Sequence, residues 1–191
     1  MYVLGIVGSP QKRNTYLLVQ RVLQELSTKR RVNVELVHLA DINIKHCQGC
    51  GFCRKTANCL IDDDMGRLCK KLTKADALVI GSPTYFWDVS GLLKDFIDRT
   101  NPLCACDKLK GKIGAAIVTA SVTGQTKALS AIESFFQIHG IRSVGGIALA
   151  LREYGSDENV LQQCDLGIAQ LLGEKIAEAL TGHKEPTSDF R

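Results

Sequence analysis

The chain repeats one pattern: a short apolar run, a loop of small polar residues, then a stretch with helical periodicity. Tyr2 to Val7 is a continuous apolar run ending at Gly8, as expected of a strand buried on both faces. A helix is predicted from about Thr15 to Ser27, with Leu17, Leu18, Val19, Val22, Leu23 and Leu26 on its apolar face. Val32, Val34 and Leu36 alternate with polar residues before Val37 and Leu39, which predicts an edge-like strand. Ile61 opens a helix to about Thr73, Ala75 to Gly81 is the third strand, and Leu92 to about Thr100 is the next helix. Gly111 to Thr119 is the fourth strand, followed by a helix to about Ile138. The fifth strand lies within Arg142 to Ala150, and the last helix is predicted over Asp157 to Leu180. Five strand–helix units argue an α/β fold, a doubly wound parallel sheet between two helical layers. Right-handed crossovers make 2-1-3-4-5 the leading strand order. The chain has 191 residues, enough for one domain, predicted over 1–181 with a polar tail at 182–191.

In such a sheet, ligands bind beyond the carboxyl ends of the strands. The first loop is Gly8-Ser9-Pro10-Gln11-Lys12-Arg13-Asn14-Thr15. Polar residues before a helix N-terminus suit a phosphate, because free N–H groups and the positive dipole end face the anion. Ser9, Arg13, Asn14 and Thr15 are the side chains expected to bind it, with Gln11 beside them. A helix cap with incidental polar neighbours is the competing reading. The loop matches neither the dinucleotide fingerprint nor the P-loop pattern. The second loop, Ser82-Pro83-Thr84-Tyr85-Phe86-Trp87, places three aromatics at a strand end. Pro83, Thr84, Tyr85, Phe86 and Trp87 are predicted to contact a flat heteroaromatic ring; a hydrophobic subunit interface is the alternative. The third loop, after the fourth strand, offers Ser121 and Gly124 to the ring's edge. One phosphate and one ring, with no adenine half, describes FMN.

Between the second strand and the helix after it lie Cys47, Cys50, Cys53 and Cys59, spaced C-x2-C-x2-C-x5-C. Thiolates are soft ligands that select iron–sulfur or zinc over magnesium and calcium. Structural zinc usually takes two separated pairs, whereas a run of x2, x2 spacing looks like one that wraps a [4Fe–4S] cluster. Gly49 and Gly51 allow tight turns around it. Zinc and unligated thiols remain open readings. Three aspartates, Asp62 to Asp64, are expected to cap the following helix rather than bind metal. His46 is either a neighbour that tunes the cluster or a solvated surface residue. Cys69 and Cys164 are expected to be semi-buried, and Cys104 and Cys106 carry no clear role. The net charge of +4 is too mild to argue nucleic-acid binding; it would help an acidic redox protein to dock, and a solubility charge that serves no partner is the competing and favoured reading. No apolar run reaches membrane-spanning length, and Met1 leads straight into the first strand without a signal pattern. A reducing cytoplasmic setting is therefore expected.

Several of these segments together resemble a known family. Gly8-Ser9-Pro10 with Asn14-Thr15, Gly81-Ser82-Pro83-Thr84-Tyr85, Gly91-Leu92-Leu93-Lys94-Asp95-Phe96-Ile97-Asp98-Arg99 and Ile138-His139-Gly140 resemble the NADPH-dependent FMN reductase superfamily of flavodoxin-like proteins. Cys47 through Cys59, continuing to Met65, is similar to the iron–sulfur flavoproteins of archaea and anaerobic bacteria. The resemblance implies an FMN-dependent electron-transfer oxidoreductase with a [4Fe–4S] cluster on the four cysteines. It also implies a homodimer or homotetramer in which the cluster of one subunit lies near a neighbour's flavin. A redox protein such as ferredoxin, or a small-molecule acceptor, would be the partner. A cluster-free NAD(P)H-dependent flavin or quinone reductase, and a non-enzymatic module holding zinc, are the alternatives. No residue reads as a dedicated acid or base.

Overall fold

The apolar runs become strands β1 (Tyr2–Val7), β2 (Asn33–His38), β3 (Ala77–Tyr85), β5 (Ile113–Ala120) and β6 (Arg142–Ala150), with a short β4 (Asp88–Val89) after β3. A computed structural model describes residues 1–29, 31–151 and 163–182. The long strands are parallel throughout and lie in the order β2-β1-β3-β5-β6. That is the expected 2-1-3-4-5 arrangement once β4 is set aside. The helices are α1 (Asn14–Ser27), α2 (Phe52–Thr56), α3 (Met65–Lys74), α4 (Gly91–Arg99), α5 (Asn101–Cys104), α6 (Gln125–Ile138) and α7 (Gln163–Gly182).

Successive residues of a strand point to opposite faces, so the sheet builds two cores. Val3, Val7, Val79, Ile117 and Ile147 pack with α1 and α7. Leu4, Ile6, Leu78, Ile80 and Val118 pack with α3, α4 and α6. Helix α1 turns Leu18, Val19, Val22, Leu23 and Leu26 inward, the helical spacing that its sequence displays. Each such large apolar side chain, fully buried, contributes about 1.5–3 kcal/mol.

Two boundaries differ instructively from expectation. Strand β3 runs past Gly81 to Tyr85, because β5 stays paired with it through Pro83 and Thr119. Pairing with β1 stops at Gly81, so Pro83 sits where one edge of β3 is free, a place that tolerates a missing N–H. Helix α3 begins at Met65 rather than Ile61, since the aspartates before it are engaged elsewhere, as described below. The expected start of the last helix at Asp157 and the tail beyond residue 182 lie outside the described residues, and the side chain of Cys164 is not among those described. Behind α4, His139 is buried. Thr100 Oγ1 donates to the Ile97 carbonyl at 2.7 Å and accepts from His139 Nε2 at 3.0 Å. Burial holds this imidazole below its ordinary pKa of 6.5.

Candidate functional site

The carboxyl ends of β1, β3 and β5 open onto one cleft. Its walls are Ser9, Pro10, Gln11, Arg13, Asn14 and Thr15 from the first loop, Pro83, Thr84 and Tyr85 from β3, Thr119, Ala120 and Ser121 from β5 and its loop, and Leu151. The first loop is wired from several sides. Gly8 N donates to Gly81 O at 2.8 Å, and Ser90 Oγ donates to Gly8 O. His38 Nε2 donates to Ser9 O at 2.7 Å. A Cβ at Gly8 would lie 2.6 Å from Leu93 Cβ, and one at Gly81 would lie 2.5 Å from Val19 Cγ2. Only glycine lets α1 and α4 come this close to the strand ends.

Helix α1 has no side-chain cap and no acidic residue in its first turn, which leaves its N–H groups open to an anion. The Ser9 hydroxyl is used inside the loop, donating to Gln11 O at 2.7 Å and accepting from Gln11 N at 3.2 Å. Thr15 Oγ1 lies 2.6 Å from Thr119 Oγ1. Only one of those hydroxyls donates to the other, so one hydrogen of the pair remains for a group in the cleft. Asn14 Oδ1 and Thr84 Oγ1 are buried without a partner. Such atoms are rare in a folded protein, and here they border the cleft where a polar ligand fits. Thr119 and His38 were not singled out from the sequence. Each sits at or near the carboxyl end of its strand, which was the one available signal.

The aromatics form the tip of a hairpin. Tyr85 pairs with Asp88 and Thr84 with Val89, leaving Phe86 and Trp87 as a two-residue turn at φ 48° and 66°. Such turns normally hold Asn-Gly, and left-handed backbone costs a bulky residue about 1–2 kcal/mol. Phe86 is fully exposed, and Tyr85 and Trp87 are half-exposed. Tyr85 lines the cleft, whereas Phe86, Trp87 and Gly124 do not. Gly124 backs the hairpin: a Cβ there would meet Trp87 Cα at 2.9 Å and Thr84 Cγ2 at 3.0 Å.

The cysteine segment is different in kind. Cys47, Cys50 and Cys59 are exposed, Cys53 is half-buried, and all four are free thiols. Gly49 and Gly51 take φ of +64° and +71°, and Gly51 precedes α2, which carries Cys53. Among the described residues, no three His, Cys, Asp or Glu side chains gather as a metal cage. What fits a cluster here is the donor chemistry, four accessible soft ligands on one loop. His46 Nδ1 meets Asp95 Oδ1 of α4 at 2.7 Å, and this contact raises the histidine's pKa.

The base of that loop is closed by a buried ion pair. Arg99 Nη1 donates to Asp63 Oδ2 at 2.6 Å and Nη2 to Asp63 Oδ1 at 3.0 Å. The same carboxylate accepts from Lys45 N at 2.9 Å and Met65 N at 3.0 Å. Asp64 Oδ2 accepts from Asn43 N at 2.9 Å. Burial works against the Asp63 charge, but the Arg99 fork and the two backbone N–H groups outweigh it and hold its pKa below the usual carboxylate value. The expected helix caps therefore act chiefly as a clasp joining the two ends of the cysteine loop. Cys69, on α3 beside Cys59, has its thiol pushed up to about 11 by burial.

Residues 1–155 match the family described as NADPH-dependent FMN reductase. An iron–sulfur flavoprotein of Methanocaldococcus jannaschii is 34% identical over 94% of this chain and 97% of its own length. One from Archaeoglobus fulgidus is 34% identical, covering 94% of this chain and 80% of that protein. A solved flavodoxin from the domain Archaea superposes with a TM-score of 0.64 at 21% identity, covering 95% of this chain and 99% of that one.

Proposed function

This chain belongs to the NADPH-dependent FMN reductase family, among its iron–sulfur flavoproteins, and from that footing we propose that it moves electrons between FMN and a [4Fe–4S] cluster held by Cys47, Cys50, Cys53 and Cys59. Family membership makes it an FMN-dependent oxidoreductase with a flavodoxin-like fold. The observation that carries the fuller reading is that one chain holds both a cleft with partnerless buried polar atoms and a clasped loop of four free thiols.

When bound, FMN takes two electrons as hydride or one at a time, and a cluster passes one. The protein's part is position and environment. The open N–H groups of α1, with Arg13 and the Thr15–Thr119 hydroxyl pair, would hold the phosphate at the cleft wall. Ser9 and Gln11 would shape the loop around it, and Asn14 would border it. Pro83, Thr84, Tyr85 and Ser121 would lie against the ring. Phe86 and Trp87, held out at the hairpin tip and backed by Gly124, would close over the ring from a second subunit of a homodimer or homotetramer. Burying such aromatics is what an obligate interface does. A redox protein such as ferredoxin would meet the exposed cysteine loop, delivering or removing single electrons in the cytoplasm.

Oxygen-free purification tests this. The expected product is brown, with one FMN and about four irons per chain. Iron-free material, or zinc in place of iron, sinks the cluster. The family match over residues 1–155 favours one second reading, a cluster-free NAD(P)H-dependent flavin reductase. That protein would be yellow, rapidly reduced by NADPH and indifferent to Cys53→Ser.

A further inference from the structure

The clasp has one more contact besides the Asp63 carboxylate. Arg99 Nη1 also donates to the Lys45 carbonyl at 2.7 Å, so residues flanking the cysteine loop on both sides meet at one guanidinium. The side chain is 1% exposed, yet its Nε–H has no partner. A buried donor without an acceptor is unusual in a charge network that is otherwise complete. Arg99 and Cys59 line the same cavity under the loop, and this last of the four cysteines is the soft acceptor on its wall.

We propose that Arg99 is a positioning residue for the cluster: its guanidinium donates a hydrogen bond to the Cys59 sulfur once that sulfur is a cluster ligand, and the bond raises the cluster's reduction potential. This rests on the cluster reading proposed above. The sign follows from charge. An added electron makes the cluster and its sulfurs more negative, so a donor aimed at a ligand sulfur favours the reduced state. Asp63 balances the positive charge of Arg99 at contact distance. The donor itself, rather than a net local charge, is therefore what the cluster feels. The pair also explains why the aspartate run is spent on the loop's base. Asp63 fixes the guanidinium with two hydrogen bonds and leaves its Nε–H free for another acceptor.

The test uses full-length protein prepared and loaded without oxygen. Iron and flavin contents are measured, then the one-electron midpoint potential of the cluster by redox titration followed by electron paramagnetic resonance. The flavin potential of the same sample serves as the internal reference. Arg99→Met alone would strand Asp63 in the interior, so the variant is the neutral pair Asp63→Asn/Arg99→Met. Arg99→Lys is measured beside it, because its ammonium still balances Asp63 but is drawn away from Cys59. The expected result is iron and flavin at wild-type levels in both variants. The reduction equilibrium of the cluster falls about tenfold, equivalent to ~59 mV for one electron, and the flavin potential does not move. Iron-loaded variants with the wild-type cluster potential overturn the proposal. Variants that fold and bind flavin but hold no iron, while the wild type does, also overturn it, since Arg99 would then be a prop for the loop only. A wild-type chain that takes up no iron defeats the cluster reading itself, and this proposal with it.

Discussion

The cleft at the strand ends and the cysteine loop are assembled by opposite means. The cleft is made by the sheet: three strand ends, two close glycine contacts and a network of backbone and hydroxyl hydrogen bonds fix its walls. The loop is closed at its base by an ion pair and a few backbone hydrogen bonds, and three of its four thiols are exposed. A site built by the fold is shaped before its ligand arrives. A site built by a loop takes its final shape from the ligand, because metal–thiolate bonds supply the ordering that packing does not.

The sharpest way to break this contrast is to remove a thiolate. Cys53→Ser is expected to take iron from about four per chain to less than one while flavin content is unchanged; joint loss of both cofactors would show that the two sites are not independent. Next comes Gly81→Ala. Its methyl would press on Val19 Cγ2 at 2.5 Å and Thr15 Cγ2 at 3.0 Å, pushing α1 off the sheet. A loss of about 1–3 kcal/mol in denaturant stability is expected, with weaker flavin binding and unaltered iron uptake. A smaller change is Thr15→Val, which deletes the buried contact with Thr119. It should cost about 1 kcal/mol and weaken flavin binding in titrations, again sparing the cluster.

The smallest effect is a dependence on pH that belongs to neither site. His139 is held neutral by burial, with a folded-state pKa below its ordinary 6.5. The unfolded chain therefore takes up a proton first as pH drops. The stabilising contribution is full above 6.5 and is lost progressively below it, toward the lowered folded value. His139→Asn should flatten the decline in melting temperature between pH 7 and 5. A wild-type melting temperature that stays level across that range contradicts this account.

Much of the fold was legible because its signals are local. Apolar runs, small polar loops and helical spacing recur along the chain, and connection handedness does the rest. The first loop and the cysteine spacing were legible for the same reason. What escaped depends on long-range pairing. Asp63 looks like a helix cap in sequence, and nothing near it announces Arg99, which arrives from the far end of α4. Thr119 reads as one more strand residue until Thr15 lies opposite it. The hairpin at Phe86 and Trp87 lacks the Asn-Gly that normally marks such a turn. Its geometry is imposed by the pairing of β3 with β4.

Closing a loop at its base has a modular consequence. Because Lys45 and Asp63 are neighbours in space, the segment 46–62 departs from and returns to the scaffold at almost one point. Such a segment would be exchangeable as a cassette: a short linker between residues 45 and 63 would leave the strands that carry the cleft unchanged. Gain or loss of the thiol cluster would then be an insertion or deletion rather than a redesign.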